Sequence, residues 1–135
     1  MMTLAALFVS LAFGGMAFFS FFLAPLVFGK LGKSEGVRFM RDAFAIYYPA
    51  MVVLTGLGAL LAPPFWIGAL LGLVAIGFVL AHLLLRPEII RLSDARDAGD
   101  ARAAASFSRL HGVSQGLNLA QFITLAFVIG GMVGP

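Results

Sequence analysis

An all-α integral membrane bundle of four transmembrane helices, with helical cytoplasmic extensions, is the fold class this sequence predicts, and three observations predict it. All fifteen charged residues of the 135 fall in two windows, Lys30 to Asp42 and Arg86 to Arg109. Outside them the chain is uncharged and mostly apolar, over roughly Thr3–Phe28, Ala43–Leu85 and Leu110–Val133, and a bilayer core takes about 20 apolar residues per helical crossing. The middle stretch is too long for one crossing, and Ala62-Pro63-Pro64 divides it, because proline lacks an amide donor and disfavours helix in the residue before it. The result is a single transmembrane domain over 1–135, with spans at about 3–28, 43–61, 65–85 and 108–133 and cytoplasmic loops at 29–42 and 86–107.

Basic residues set the expected orientation. Lys30, Lys33, Arg38 and Arg41 follow the first span, and Arg86, Arg91, Arg96, Arg102 and Arg109 follow the third. Short loops rich in Lys and Arg stay in the cytoplasm. Both termini, the Pro-Pro turn and the Gly134-Pro135 tail are therefore expected on the non-cytoplasmic side of the cytoplasmic membrane. The amino end has no basic segment before its apolar stretch and no small-x-small cleavage site before the charges, so it reads as the first span and not as a secretory signal.

Composition narrows the function classes. At 61% hydrophobic and 11% charged, the chain cannot bury its apolar surface inside a soluble globule, so the lipid bilayer is its first partner. The net charge of +3 belongs to the loop residues that meet anionic headgroups, and no nucleic-acid partner is expected. The absence of cysteine excludes disulfides, thiolate metal sites and cysteine-ligated iron–sulfur clusters.

Along the chain, span one carries Phe8, Phe13, Phe18, Phe19, Phe21, Phe22 and Phe28 all around the helix. Gly29 and Gly32 are expected to end it, with Ser34 as the next N-cap and Glu35 in the favourable first turn. Val37, Met40 and Phe44 then share one helical face, as in a segment lying at the membrane surface or in a solvated helix start. Phe65 and Trp66 open span three at the outer interface. Gly68, Gly72 and Ala75 form a small-residue stripe that favours helix contact in lipid. Pro87 marks the exit from the span, Glu88 to Ala98 reads as a helix, Gly99 breaks it, and Asp100 caps the next helix. The two halves share a loose pattern, Pro25, Phe28 and Leu31 against Pro87, Ile90 and Leu92, which leaves a pair of related hairpins open.

Span four carries the most informative local feature. At 100 degrees per residue, His111, Ser114, Gln115, Asn118 and Gln121 occupy one arc. Gly112, Gly116 and Ala120 fall nearly opposite, as a second packing face, leaving Leu110, Val113, Leu117 and Val128 for lipid. Polar side chains in a membrane bundle commonly hydrogen-bond between helices, for about 0.6 to 2 kcal/mol each. The sharper alternative adds His82, which like His111 lies about one turn inside the cytoplasmic boundary. Antiparallel neighbours would bring both imidazoles to one depth, as bis-histidine ligation of haem b or a shared proton requires. Tyr47 and Tyr48, at the entrance of span two, either join this cluster or anchor at the headgroups. No other metal or cofactor site is expected, and with no intramembrane carboxylate or thiol, no catalytic constellation appears.

The segment Phe107-Ser108-Arg109-Leu110-His111-Gly112-Val113-Ser114-Gln115-Gly116-Leu117-Asn118-Leu119 resembles the F-x-x-x-H-G-x-S-x-x-x-N-L signature of the transmembrane protein 205-like family. Tyr47 or Tyr48 and Pro87 are similar to further family positions, and His82 stands outside the pattern. The resemblance implies a small multi-pass protein containing a domain of unknown function, whose vertebrate members are associated with resistance to platinum drugs, and it implies no reaction. The function expected is thus a non-enzymatic structural, accessory or small-solute-handling membrane component that self-associates or joins a larger complex. The alternatives are a haem b protein using His82 and His111, and a small transporter with Ser114, Gln115, Asn118 and Gln121 along its path.

Overall fold

The computed structural model describes residues 1–134; Pro135, assigned above to the non-cytoplasmic tail, lies outside the described residues. Helix α1 (Met2–Phe18) passes through a π turn (Phe19–Leu23) into α2 (Ala24–Leu61). Helix α3 (Phe65–Leu80) passes through a second π turn (Ala81–Leu85) into α4 (Arg86–Asp97), and α5 (Ala101–Val133) completes the fold. No strand occurs among the described residues. Among the described residues three helical runs, Met2–Leu61, Phe65–Asp97 and Ala101–Val133, are long and apolar enough to cross a membrane.

The first run doubles back on itself. Gly32, at φ 76° and ψ −178°, departs from helical geometry inside α2, in a region of backbone space open essentially to glycine alone. The arms on either side of it pack antiparallel, with Val9 against Gly58, Met51 against Gly15, and the Phe28 ring over Gly36. The sequence expectation placed a new cap at Ser34. Instead, Gly32 makes the reversal and Ser34 is already helical. At the other end Ala62 and Pro64 are extended, and α3 starts at Phe65. Gly99 turns the third reversal at φ 97°. Asp100 then caps α5, its carboxylate accepting from the amides of Arg102 at 2.9 Å and Ala103 at 3.1 Å.

Two prolines explain the π turns. Each π turn begins six residues before a proline, Pro25 or Pro87. A proline inside a helix removes one i→i−4 bond and its ring crowds the carbonyl four residues earlier, and a wider turn relieves that clash. Pro49 also lies within α2 and the helix continues through it.

The core runs along the middle of the molecule through Val9, Met16, Met51, Ile67, Leu71, Phe78, Leu125 and Val128. Toward the charged end it becomes aromatic: Phe19 stacks on Tyr47 with centroids 4.2 Å apart, and Phe44 on Tyr48 at 5.2 Å. Around this core Leu7, Phe21, Ile46, Leu60, Leu73, Leu84, Ile123 and Phe127 stand exposed, an apolar belt that water would not favour and lipid would cover. Two of the side chains expected to face lipid do not. Val128 is fully buried and Leu117 packs against the core, because α5 contacts both α1 and α3 and one helical projection shows a single contact face.

The Gly32 geometry makes a contrast measurable by reversible unfolding in mixed micelles. Gly32→Ala is expected to lose about 1 to 3 kcal/mol of stability from backbone strain. Gly29→Ala, at a helical position with open space around it, is expected to gain roughly 0.5 to 1 kcal/mol.

Candidate functional site

The two charged turns come together at one end of the molecule. Arg41 of α2 donates through Nη2 to Asp94 Oδ1 of α4 at 2.7 Å, and Arg86 donates through Nη2 to the Arg41 carbonyl oxygen at 3.0 Å. The Arg41–Asp94 pair is largely solvated and contributes on the order of 0 to 1 kcal/mol. The Arg86 bond ties the start of α4 to the backbone of α2. Arg96 lies over the Phe107 ring, 4.3 Å from its centroid, an attraction of about 0.5 to 2 kcal/mol at a half-buried site. On the outer face of α4, Arg91 hydrogen-bonds to Glu88 and holds that carboxyl below its usual range.

Between these elements lies a cavity of about 250 Å³. Phe28, Val37, Met40 and Phe44 of α2 form one wall, Ile89 and Ile90 of α4 a second, and Phe107 of α5 a third. Its basic lining is Lys33, Arg41, Arg86 and Arg96, and no carboxylate lines it among the described residues. A smaller cavity of about 180 Å³ continues deeper, bounded by Ser20, Tyr47 and Asn118. The two share Met40, Phe44, Tyr48, Ser114 and Gln115. An open cleft of about 490 Å³ between Lys33, Arg38, Asp94 and Asp97 leads in from the charged end. The arrangement suits a molecule with an anionic end and an apolar body.

The polar arc of α5 divides among three surroundings. His111 stacks on Phe107 with centroids 5.6 Å apart and lines the larger cavity. Ser114 and Gln115 line both cavities, with Ser114 facing the Tyr48 hydroxyl. Asn118 reaches Ser20 of the first π turn through a long contact of 3.4 Å. Gln121 turns to the other side, where its buried Nε2 donates to the Val74 carbonyl of α3 at 3.1 Å and presses on Gly77. Tyr47 is buried in the aromatic core and its hydroxyl has no partner among the described residues. His82 sits edge-on to Tyr48 at 6.2 Å, with Nδ1 buried and likewise unpartnered among the described residues. It lines none of these three cavities, whereas His111 lines one.

Of the glycines singled out for packing, Gly68 meets the Ala59 carbonyl oxygen, where an added Cβ would lie 3.0 Å away. Gly72, Gly112 and Gly116 have open space beside them within the chain. Close approaches fall instead at Gly15, Gly36, Gly58, Gly77 and Gly131, the last under Trp66. Sequence reasoning also missed Lys33, Arg41, Arg86 and Arg96 as cavity residues, having used them only to orient the chain. The signal was the apolar face of Val37, Met40 and Phe44 running between those basic positions.

The hydrogen bonds of α5 rank two substitutions. Gln121→Leu is expected to lose about 0.6 to 2 kcal/mol of stability in detergent titrations. Asn118→Leu should lose less, since its contact with Ser20 is long and weaker for it.

A family model described as "Domain of unknown function (DUF4149)" matches residues 7–98. An uncharacterized protein of Aquifex aeolicus (strain VF5) is 30% identical over 117 residues, covering 87% of this chain and 85% of that protein. No solved structure matches. With the family model spanning α1 to the end of α4, and that relative extending the likeness over most of the molecule, the chain belongs to the DUF4149 family, defined by a domain of unknown function.

Proposed function

We propose that this protein is a non-enzymatic, multi-pass component of the cytoplasmic membrane that takes up an amphipathic small molecule in the cavity at its charged end. The observation that carries this reading is the cavity's lining: apolar walls from three helices, four basic side chains, and no carboxylate among the described residues. Ligand sites are concave and mostly apolar, with a few polar groups that orient what binds, and this cavity has that make-up.

In this reading each arm of the doubled-back first run crosses the bilayer, as do α3 with its π turn and the apolar part of α5, which makes four spans. The turns at Gly32 and Gly99 lie in the cytoplasm, following their Lys and Arg content. The termini and the Pro63-Pro64 turn lie on the opposite side. The likeness of Phe107–Leu119 to the transmembrane protein 205-like signature belongs to this proposal as well. It falls beyond the residues that the DUF4149 model matches. It supports a shared layout around His111, Ser114 and Asn118. Self-association through the open glycines Gly112 and Gly116 is compatible with it.

The cysteine-free chain allows the topology to be read by single-cysteine labelling. Ala98→Cys is expected to react with an impermeant maleimide only in inverted vesicles, and Phe65→Cys only in intact spheroplasts. The reverse pattern would overturn the orientation. For the cavity, a dansyl-labelled single-chain amphiphile is expected to bind the purified protein saturably with blue-shifted emission. Ile90→Trp, which fills the cavity, should abolish that binding, and unchanged binding would reject the reading.

A further inference from the structure

We infer that the cavity selects a lipid whose head is a phosphate monoester, held by Lys33 and Arg86, with its first chain segment between the α2 and α4 walls. This rests on the amphiphile-binding reading above and names the chemistry of its ligand.

Charge pairing separates the four cations. Arg41 is matched by Asp94 at 2.7 Å, and Arg96 by Asp97 at 3.1 Å. Lys33 and Arg86 form no ion pair among the described residues. Arg86 is also held in place and incompletely bonded. Its Nη2 donates to the Arg41 carbonyl, while its Nε is buried without a partner among the described residues. A buried N–H left unbonded is costly, more so on a charged group. A guanidinium presents its donors as a fork that matches phosphate or carboxylate geometry.

Two positive charges outside every ion pair among the described residues suit a ligand of similar negative charge. A phosphate monoester carries about −1.5 to −2 at pH 7, whereas a phosphodiester or a carboxylate carries a single charge. Basic pockets between membrane helices on the cytoplasmic side are a recurring way to hold lipid head groups. Size points the same way. The cavity of about 250 Å³ is far larger than the roughly 10 to 15 Å³ that holds one water, with room for a head group and the start of one chain. The apolar walls formed by Phe28, Val37, Met40 and Ile90 would be wasted on a free phosphate ion.

The test is native mass spectrometry of the full chain in mild detergent, titrated separately with dioleoyl phosphatidic acid, phosphatidylglycerol and phosphatidylcholine, and then with inorganic phosphate as competitor. Phosphatidic acid is expected to bind about tenfold more tightly than phosphatidylglycerol, the effect of one additional charge-assisted contact. Arg86→Gln and Lys33→Gln should each remove that preference. Lys33, exposed beside the Gly32 reversal and outside every ion pair described, keeps the test valid if Arg86→Gln perturbs folding. Equal affinity for the two anionic lipids, or a preference that survives both substitutions, would overturn the inference. Displacement by equimolar inorganic phosphate would also overturn it, making a free anion the ligand. If Ile90→Trp weakens all three lipids equally and no preference exists, the amphiphile reading stands and the head-group inference falls. If Ile90→Trp changes nothing, the amphiphile reading itself falls.

Discussion

The rest of this structure depends on one constraint: a backbone donor or acceptor placed in hydrocarbon must find its partner within the chain. It accounts for a fold whose described residues are helical almost throughout and reverse only at Gly32, at Ala62–Pro64 and at Gly99. Two of those reversals lie in the charged windows, where water can solvate freed backbone groups. The other lies beside Phe65 and Trp66, side chains suited to an interface. The same constraint explains how Pro25 and Pro87 are tolerated. A chain in water could end its helix at each proline, but here the helix widens into a π turn and continues.

What the residues made legible follows from which effects act locally. Charge partition marked the two ends, proline pairing marked the Ala62–Pro64 break, and a glycine followed by aspartate marked the turn into α5, with Asp100 capping as its chemistry dictates. The π turns were not legible, because their cause is a proline but their place is several residues upstream, where Phe19 and Ala81 look like ordinary helix. Nor could spacing tell which glycines meet a neighbour. Gly68 and Gly72 lie one turn apart on one stripe, yet the first meets a carbonyl and the second open space. That difference is set by the crossing of α2 and α3, a tertiary fact.

The candidate site was legible in its parts and illegible as a whole. The polar arc of α5 is real as a projection, but Gln121 serves α3 while Ser114 and Gln115 face the cavities. Such a split arises because α5 touches different neighbours along its length. A projection gives each residue an angle and leaves out what stands at that angle at each depth. The basic residues were overlooked for a related reason. In a membrane sequence a loop lysine or arginine already has an explanation in topology, and that explanation hides any second role.

The π turns and the cavity connect the two halves. Phe28 on the first arm of α2 and Ile89 with Ile90 on α4 stand just past a π turn and its proline, and Val37, Met40 and Phe44 join them from the arm beyond Gly32. A π turn inserts one extra residue into a helical turn, so the helix beyond it presents a face rotated from the one before. Upstream, α1 and α3 place Met16, Leu71 and Phe78 in a closed core. Downstream, the rotated faces carry Phe28, Ile89 and Ile90, and the arm beyond the Gly32 reversal adds Lys33, Val37, Met40 and Arg41 around one space. An uninterrupted helix would have carried the core stripe straight into the charged region, where apolar groups must either meet water or be replaced. The rotation instead sets the closed core apart from the cavity, and Arg86, the first residue past the second π turn, stands at that junction in the cavity wall.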